Sequence, residues 1–248
     1  MENNTEEAHL IVVYEDDDLL VVNKQAGLTV NRSDTTKGQI TLQDLVEREN
    51  KINRIDQEEE FLQRSGVVHR LDKETSGVIL VAKNTKSFRL LQQQFADRVV
   101  EKSYLALAHG EIIPKKGEIN VPVGRLPWNR KRFGIIAGGR PSITYYEVIQ
   151  VLTNGEEDFS LVRLFPKTGR THQIRVHLKY INHPIIGDSQ YAGRKTSRKD
   201  RESLDRFFLH AEKIAFKHPS TGKRVEFSAE IPKELQNVLE SLKIKNNN

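Results

Sequence analysis

Short apolar runs recur along the chain, separated by polar breaks. Asp18-Leu19-Leu20-Val21-Val22-Asn23-Lys24 reads as a short buried strand closed by a turn at Gln25-Ala26-Gly27. Leu42, Leu45 and Val46 return at helical spacing after Thr41, which predicts a helix over about 41–50, and the polar, acidic stretch 51–60 reads as a loop. Val78 to Ala82 is an apolar strand. Asn84 or Thr85 then caps a helix whose core face is Phe88, Leu91 and Phe95. Lys102-Ser103-Tyr104-Leu105-Ala106-Leu107-Ala108 alternates as a strand, with Tyr104 on the face opposite Leu105 and Leu107. Further strands are predicted at Ser142–Val151, Phe159–Phe165, Phe207–Phe216 and Lys223–Phe227, and a last helix from about Lys233 aligns Leu235, Val238, Leu239 and Leu242. Strands joined by short turns and interrupted by few helices indicate an α+β fold on a mixed, mainly antiparallel, twisted sheet flanked by helices and loops. Without an internal repeat or a Pro/Gly-rich linker, a single domain is expected, with a disordered N-terminus over 1–10 and a disordered tail over 245–248.

Composition narrows the chemistry. With 37% hydrophobic and 29% charged residues and no apolar run near the length of a membrane span, a soluble globular protein is expected. The first eight residues are acidic and polar, unlike a secretory signal, which gives a cytoplasmic expectation. The absence of cysteine excludes disulfides, zinc–thiolate sites, iron–sulfur clusters and thiol nucleophiles, so the chemistry uses oxygen and nitrogen groups. The net charge of +5 is unevenly distributed. Arg125 to Arg140 holds Arg125, Arg130, Lys131, Arg132 and Arg140 without an acid, and Arg194 to Arg201 holds five cations against Asp200 alone. Both segments read as basic loops and suggest a polyanion partner; the competing reading is a pair of solvated loops serving solubility.

Two segments concentrate reactive groups. His69-Arg70-Leu71-Asp72-Lys73-Glu74-Thr75-Ser76-Gly77 sets one carboxylate among cations, beside a tight turn and at the mouth of an apolar strand. A nearby guanidinium favours the ionised carboxylate, which suits a nucleophile or base; a surface ion pair before a core strand is the plainer alternative. The second segment is Lys167-Thr168-Gly169-Arg170-Thr171-His172-Gln173-Ile174-Arg175-Val176-His177-Leu178. His172 and His177 are five apart, on opposite faces of a strand or about 140° apart around a helix, so the pair is not read as a metal site. Thr171 as an N-cap after Gly169 favours a helix carrying Arg175 in its first turns.

In order and separation, these segments resemble the RluA-type family of RNA pseudouridine synthases. The resemblance rests on His69-Arg70-Leu71-Asp72 with Ser76-Gly77, on Lys102 to Leu107, on Gly169 to His177 and on His183-Pro184-Ile185-Ile186-Gly187-Asp188. Asn23 to Leu28 in front, and Leu209-His210-Ala211 with Phe216-Lys217-His218-Pro219 behind, extend it over about residues 15–232. It implies a pseudouridine synthase-like catalytic domain over 11–244. Asp72 would be the catalytic carboxylate, attacking the anomeric carbon or taking part in a glycal-like route, after which the freed uracil turns over and rejoins through carbon 5. Tyr104 would lie against the base and serve the proton transfer from carbon 5, and Arg175 would pair with Asp72 and hold it ionised. Arg70 would fill the gap left by an extruded uridine. Arg170, His172, Trp128, Arg130 and Arg132 would contact substrate RNA, the aromatic among the cations offering a stacking surface.

The family reading needs no cofactor and no metal, because the isomerisation conserves every atom. The implied partner is ribosomal or transfer RNA, with no membrane, and a monomer is expected. Some relatives carry a small RNA-binding domain in front, whereas fewer than 20 residues precede the first strand here, so RNA selection is expected from the catalytic domain's own loops. Gln25 stands where the family commonly has Pro, which loosens the turn without removing a catalytic group. Two other readings remain: a non-catalytic RNA-binding protein on the same fold, and a nucleosidase or glycosidase, for which only Glu74 or Asp188 offers a second acid.

Overall fold

A computed structural model describes residues 9–55 and 57–245. In chain order its elements are β1 (Val12–Glu15), β2 (Leu19–Lys24), α1 (Leu42–Arg48), α2 (Glu59–Gln63), β3 (Ser76–Ala82), α3 (Thr85–Ala96), β4 (Glu101–His109), β5 (Lys116–Asn120), β6 (Val123–Leu126) and β7 (Asn129–Ile135). They continue as β8 (Ile143–Thr153), β9 (Asp158–Pro166), α4 (Gln173–Tyr180), α5 (Arg194–Asp200), β10 (Leu209–Lys217), β11 (Arg224–Ser228), α6 (Lys233–Glu240) and β12 (Lys243–Ile244). The α+β expectation is borne out. The chain divides into two compact units, one formed by residues up to Val100 with Lys213–Glu230, the other by Glu101–Glu212 with residues from Ile231 onward.

In the first unit β1, β2 and β3 form an antiparallel meander, with Leu20 opposite Val81 and Val22 opposite Ile79. Leu19 to Val22 and the whole of β3 are buried, so these strands are covered on both faces, which explains why they read as continuous apolar runs. The end of β10 pairs antiparallel with β11. Both predicted helix starts carry their caps. Thr41 Oγ1 accepts the Asp44 N–H while Asp44 Oδ2 accepts the Thr41 N–H at 2.8 Å, a reciprocal capping box, and Asn84 Oδ1 accepts the Ser87 N–H at 2.9 Å. The stretch 51–60 is not entirely loop: α2 begins at Glu59 because Phe61 is buried edge-on against Phe88 of α3, with ring centroids 5.7 Å apart.

In the second unit β4, β9, β8 and β12 lie side by side and antiparallel, and β5 joins the far end of β8. Along β8 Thr144, Tyr146 and Val148 are buried in alternation, and a bulge between Val148 and Gln150 shifts the phase so that Val151 is buried next. The core gathers Ala106, Leu107, Val162, Leu164, Ile174, Leu178, Phe208 and Leu235 from strands and helices. Both basic segments differ from the loops expected. Residues 125–140 include most of the β6–β7 hairpin, with Arg125 opposite Phe133, and residues 194–201 include α5. That helix forms because Asp200 is buried, its Oδ2 accepting the Gly187 N–H at 2.9 Å and lying 3.1 Å from His109 Nε2.

The disordered ends expected at 1–10 and 245–248 are too long at their inner margins. Leu10 is buried and its N–H donates to Glu49 at 2.9 Å, and Lys245 Nζ is ion-paired with Glu111 at 2.7 Å and Asp158 at 2.9 Å. The rest of those two expectations falls on residues 1–8 and 246–248, outside the described residues. Among the described residues no helix is long and apolar enough to cross a membrane.

His177 on α4 is fully buried and neutral: its Nε2–H donates to the Val121 carbonyl at 3.2 Å and its Nδ1 accepts the Thr144 hydroxyl at 2.9 Å. Burial pushes its pKa down to about 4 from an ordinary 6.5. Because the unfolded chain takes up a proton that the folded chain refuses, stability is present above pH 6.5 and falls by about 1.4 kcal/mol per pH unit from there to about pH 4. Urea unfolding at pH 7, 6 and 5 is expected to show that slope, and His177→Gln to flatten it. Phe61→Ala is expected to lower the unfolding free energy by about 3–5 kcal/mol, read from the same denaturation curves.

Candidate active site

The residues singled out from the sequence fall on both units. Asp72 and Arg70 lie on the first, in the segment leading into β3. The chain leaves Val67, which bridges to Val81, and passes His69, whose Nε2 accepts the Leu80 N–H at 3.0 Å and whose ring stacks on Phe95 at 4.8 Å. Leu71 is buried and anchors the loop, Arg70 is exposed, and Asp72 is half-buried between them and the turn. The Thr75 N–H donates to the Asp72 carbonyl at 3.1 Å, and Gly77, at φ 115°, takes a backbone conformation that a side chain would strain. This loop has a support that sequence reasoning assigned no role. Lys24 ends β2 at 1% exposure, and its ammonium donates to the carbonyls of Gln25 at 2.8 Å, Leu28 at 2.8 Å and Lys73 at 3.0 Å. The Gly27 N–H donates to the same Lys73 carbonyl at 2.9 Å. A buried cation holding three carbonyls thus fixes the residue next to Asp72. The available signal was a lysine closing an apolar run directly before a turn.

Tyr104, Arg170, His172 and Arg175 lie on the second unit. Tyr104 sits half-buried on β4 opposite Leu164 of β9, two residues after Lys102, whose pKa burial pushes down to about 8, with the charge of Lys167 adding to the effect. Arg175 is in the first turns of α4, as expected, although Thr171 is not the cap. His172 holds the N-cap position in the left-handed region at φ 57°, and Gln173 ties the entry down instead. Gln173 Oε1 accepts the Thr168 hydroxyl at 2.7 Å and the Arg170 N–H at 3.0 Å, and Nε2 donates to the Ile143 carbonyl and to Thr144 Oγ1.

Arg175 is 5% exposed. Its Nε donates to Asp188 Oδ2 at 2.7 Å and its Nη2 to Asp188 Oδ1 at 2.9 Å, with a further bond from Nη2 to Gln190 at 3.0 Å. Tyr191 and Phe207 lie against the guanidinium, their ring centroids 4.9 and 4.3 Å from Cζ. Asp188, fully buried, also accepts the N–H groups of Gln190 and Tyr191. Its oxygens are therefore committed to Arg175 and the backbone, which removes it as the second acid of a glycosidase. The turn that delivers it depends on Gly187, where a Cβ would stand 2.2 Å from the Arg206 carbonyl.

The two histidines of this segment serve different partners, His172 Nδ1 facing the Tyr191 hydroxyl at 2.9 Å and His177 bonding Thr144 and Val121. Among the described residues no group of three or more His, Asp or Glu could hold a metal ion. Trp128 and Arg130 are exposed at the end of the β6–β7 hairpin, Trp128 at 79%, while Arg132 is half-buried on β7.

Comparison with known proteins agrees with the resemblance. The family described as RNA pseudouridylate synthase matches residues 18–180. The chain is similar to the uncharacterised RNA pseudouridine synthase YlyB of Bacillus subtilis, 36% identical over 94% of this chain and 73% of that one. It is also similar to the ribosomal large subunit pseudouridine synthase D of Zymomonas mobilis, 36% identical over 99% and 77%. Among solved structures, human RNA pseudouridylate synthase domain containing 1 superposes with a TM-score of 0.73 at 30% identity, covering 99% of this chain and 92% of that one. The chain belongs to the RluA-type family of RNA pseudouridine synthases, enzymes that isomerise uridine in RNA.

Proposed function

We propose that Asp72 carries the isomerisation, that Tyr104 and Arg175 serve the same reaction, and that the target uridines lie in large-subunit ribosomal RNA. The observation that carries the first part is the setting of Asp72. It is half-buried on a short turn whose neighbouring carbonyl is bonded by the Lys24 ammonium, so the carboxylate is presented at low entropic cost while Arg70 beside it is exposed to a polyanion. In the proposed sequence the C1′–N1 bond of the uridine breaks with Asp72 assisting at C1′. The uracil rotates, C5 bonds to C1′, and the C5 proton leaves as N1 gains one. Tyr104, half-buried on a sheet face, lies against the base and takes part in that proton transfer. Arg175 supplies a fixed positive charge, held in place by its two-point contact with Asp188. Arg70, Arg170, His172, Trp128, Arg130 and Arg132 hold the RNA through phosphate contacts and stacking. The ribosomal target is supported by the names of the relatives from Zymomonas mobilis and Neisseria meningitidis, the latter 37% identical over 95% of this chain and 62% of its own length.

Asp72→Asn is expected to lower the single-turnover rate of pseudouridine formation by about a thousandfold or more while the RNA dissociation constant stays within about twofold. Turnover retained in that purified variant would remove Asp72 from the reaction. Pseudouridine mapping of total RNA, with and without the gene, is expected to show one or more large-subunit sites lost. Loss confined to transfer RNA would redirect the substrate assignment.

A further inference from the structure

The β6–β7 hairpin forms its own two-stranded sheet. A two-stranded ribbon is marginally stable alone, so its few anchors decide where its cations stand. One anchor is a single phenol. The Tyr191 hydroxyl accepts the Phe133 N–H of β7 at 3.1 Å and bonds His172 Nδ1, at the N-cap of α4, at 2.9 Å. The His172 ring stands edge-on to Phe133 and to Tyr191, with centroids 5.4 and 5.8 Å away, and Tyr191 packs with Val123 of β6 and Val176 of α4. The same tyrosine ring lies against Arg175, and its backbone N–H is held by Asp188, the counter-ion of Arg175. One residue therefore joins the basic ribbon to the buried guanidinium: the hydroxyl end fixes Phe133 and His172, the ring faces Arg175.

We infer that Tyr191 is a positioning residue through which engagement of RNA by the β6–β7 hairpin sets the orientation of Arg175, an inference that rests on the reading of Arg175 as a member of the reacting site. The coupling needs a difference in contact between RNA-bound and free hairpin. Phosphate contacts to Arg130 and Arg132 supply it: they hold β7 in one place, and the Phe133 N–H with it. The hydroxyl carries that constraint to α4, and a guanidinium displaced by a fraction of an ångström no longer stands where the reaction needs its positive charge.

Tyr191→Phe separates the two ends of the residue, keeping the ring against Arg175 and in the Val123–Val176 cluster while removing the hydroxyl. The expected result is a saturating single-turnover rate lowered about tenfold, with the dissociation constant for the RNA substrate within about threefold of the parent. Combined with Arg132→Ala, the loss in rate is expected to be smaller than the product of the two single losses. An unchanged saturating rate overturns the inference, whatever happens to affinity, because the hydroxyl then serves only to seat the hairpin. Independent, multiplicative losses overturn it as well. A control separates this failure from that of the underlying reading: Arg175→Gln with Asp188→Asn removes both buried charges together, and a wild-type rate in that double variant shows that Arg175 itself plays no part in the reaction.

Discussion

A guanidinium and a carboxylate buried against each other set most of the constraints in the second unit. Taking both charges out of water costs several kcal/mol each, and the cost is offset only when geometry is good and the remaining hydrogen-bonding capacity is filled. Arg175 and Asp188 meet that condition by a two-point contact, by Gln190, by two backbone N–H groups and by two aromatic rings. Each requirement fixes a piece of chain. Helix α4 brings Arg175, the Gly187 turn brings Asp188 in a conformation that excludes a side chain, and Phe207, just before β10, closes the far face. Removing one charge alone leaves the other stranded, at a cost of about 3–5 kcal/mol, so this region tolerates little drift.

The first unit uses a different device, a buried ammonium held on backbone carbonyls. Lys24 replaces its water shell with three backbone oxygens, which suits an ammonium because its donors point tetrahedrally at separate acceptors. The turn after β2 and the loop carrying Asp72 are thereby joined by the Lys24 ammonium and by the Gly27 N–H, both on the Lys73 carbonyl. Rigidity at Asp72 comes from a residue 48 positions earlier in the chain, whose place at the end of an apolar run is visible in the sequence while its partner is not.

Much of the fold was legible because its central elements bury on a regular period. The runs Leu19–Val22 and Val78–Ala82, the Phe88–Leu91–Phe95 face of α3 and the Thr41 and Asn84 caps all declare themselves locally. Elements held by one or two distant contacts did not. β1 is exposed along its whole length, α2 buries Phe61 as its core contact, and α5 is tied down where Asp200 meets His109 and the Gly187 N–H. The hairpin reads as a loop because its strands are short and charged and bury a single residue fully. At the candidate site the segments were recognisable from residue type and order, while their partners were not. Asp188 carried the signature of a spare acid and is a committed counter-ion, and Thr171 had the chemistry of a cap at a helix start that no side chain caps and that Gln173 ties to the loop before it and to β8.

The Lys24 clamp also bears on the departure from the family pattern at Gln25. Its ammonium bonds the carbonyl of residue 25, a group every amino acid carries, and leaves the side chain there out of the contact. Where proline would stiffen the turn by closing a ring on its own backbone, a cation gripping the carbonyls from inside achieves the stiffness without regard to what is attached at Cα. The carbonyl of residue 25 is thus held in place whatever side chain stands there, and the stiffness of the turn resides in the lysine.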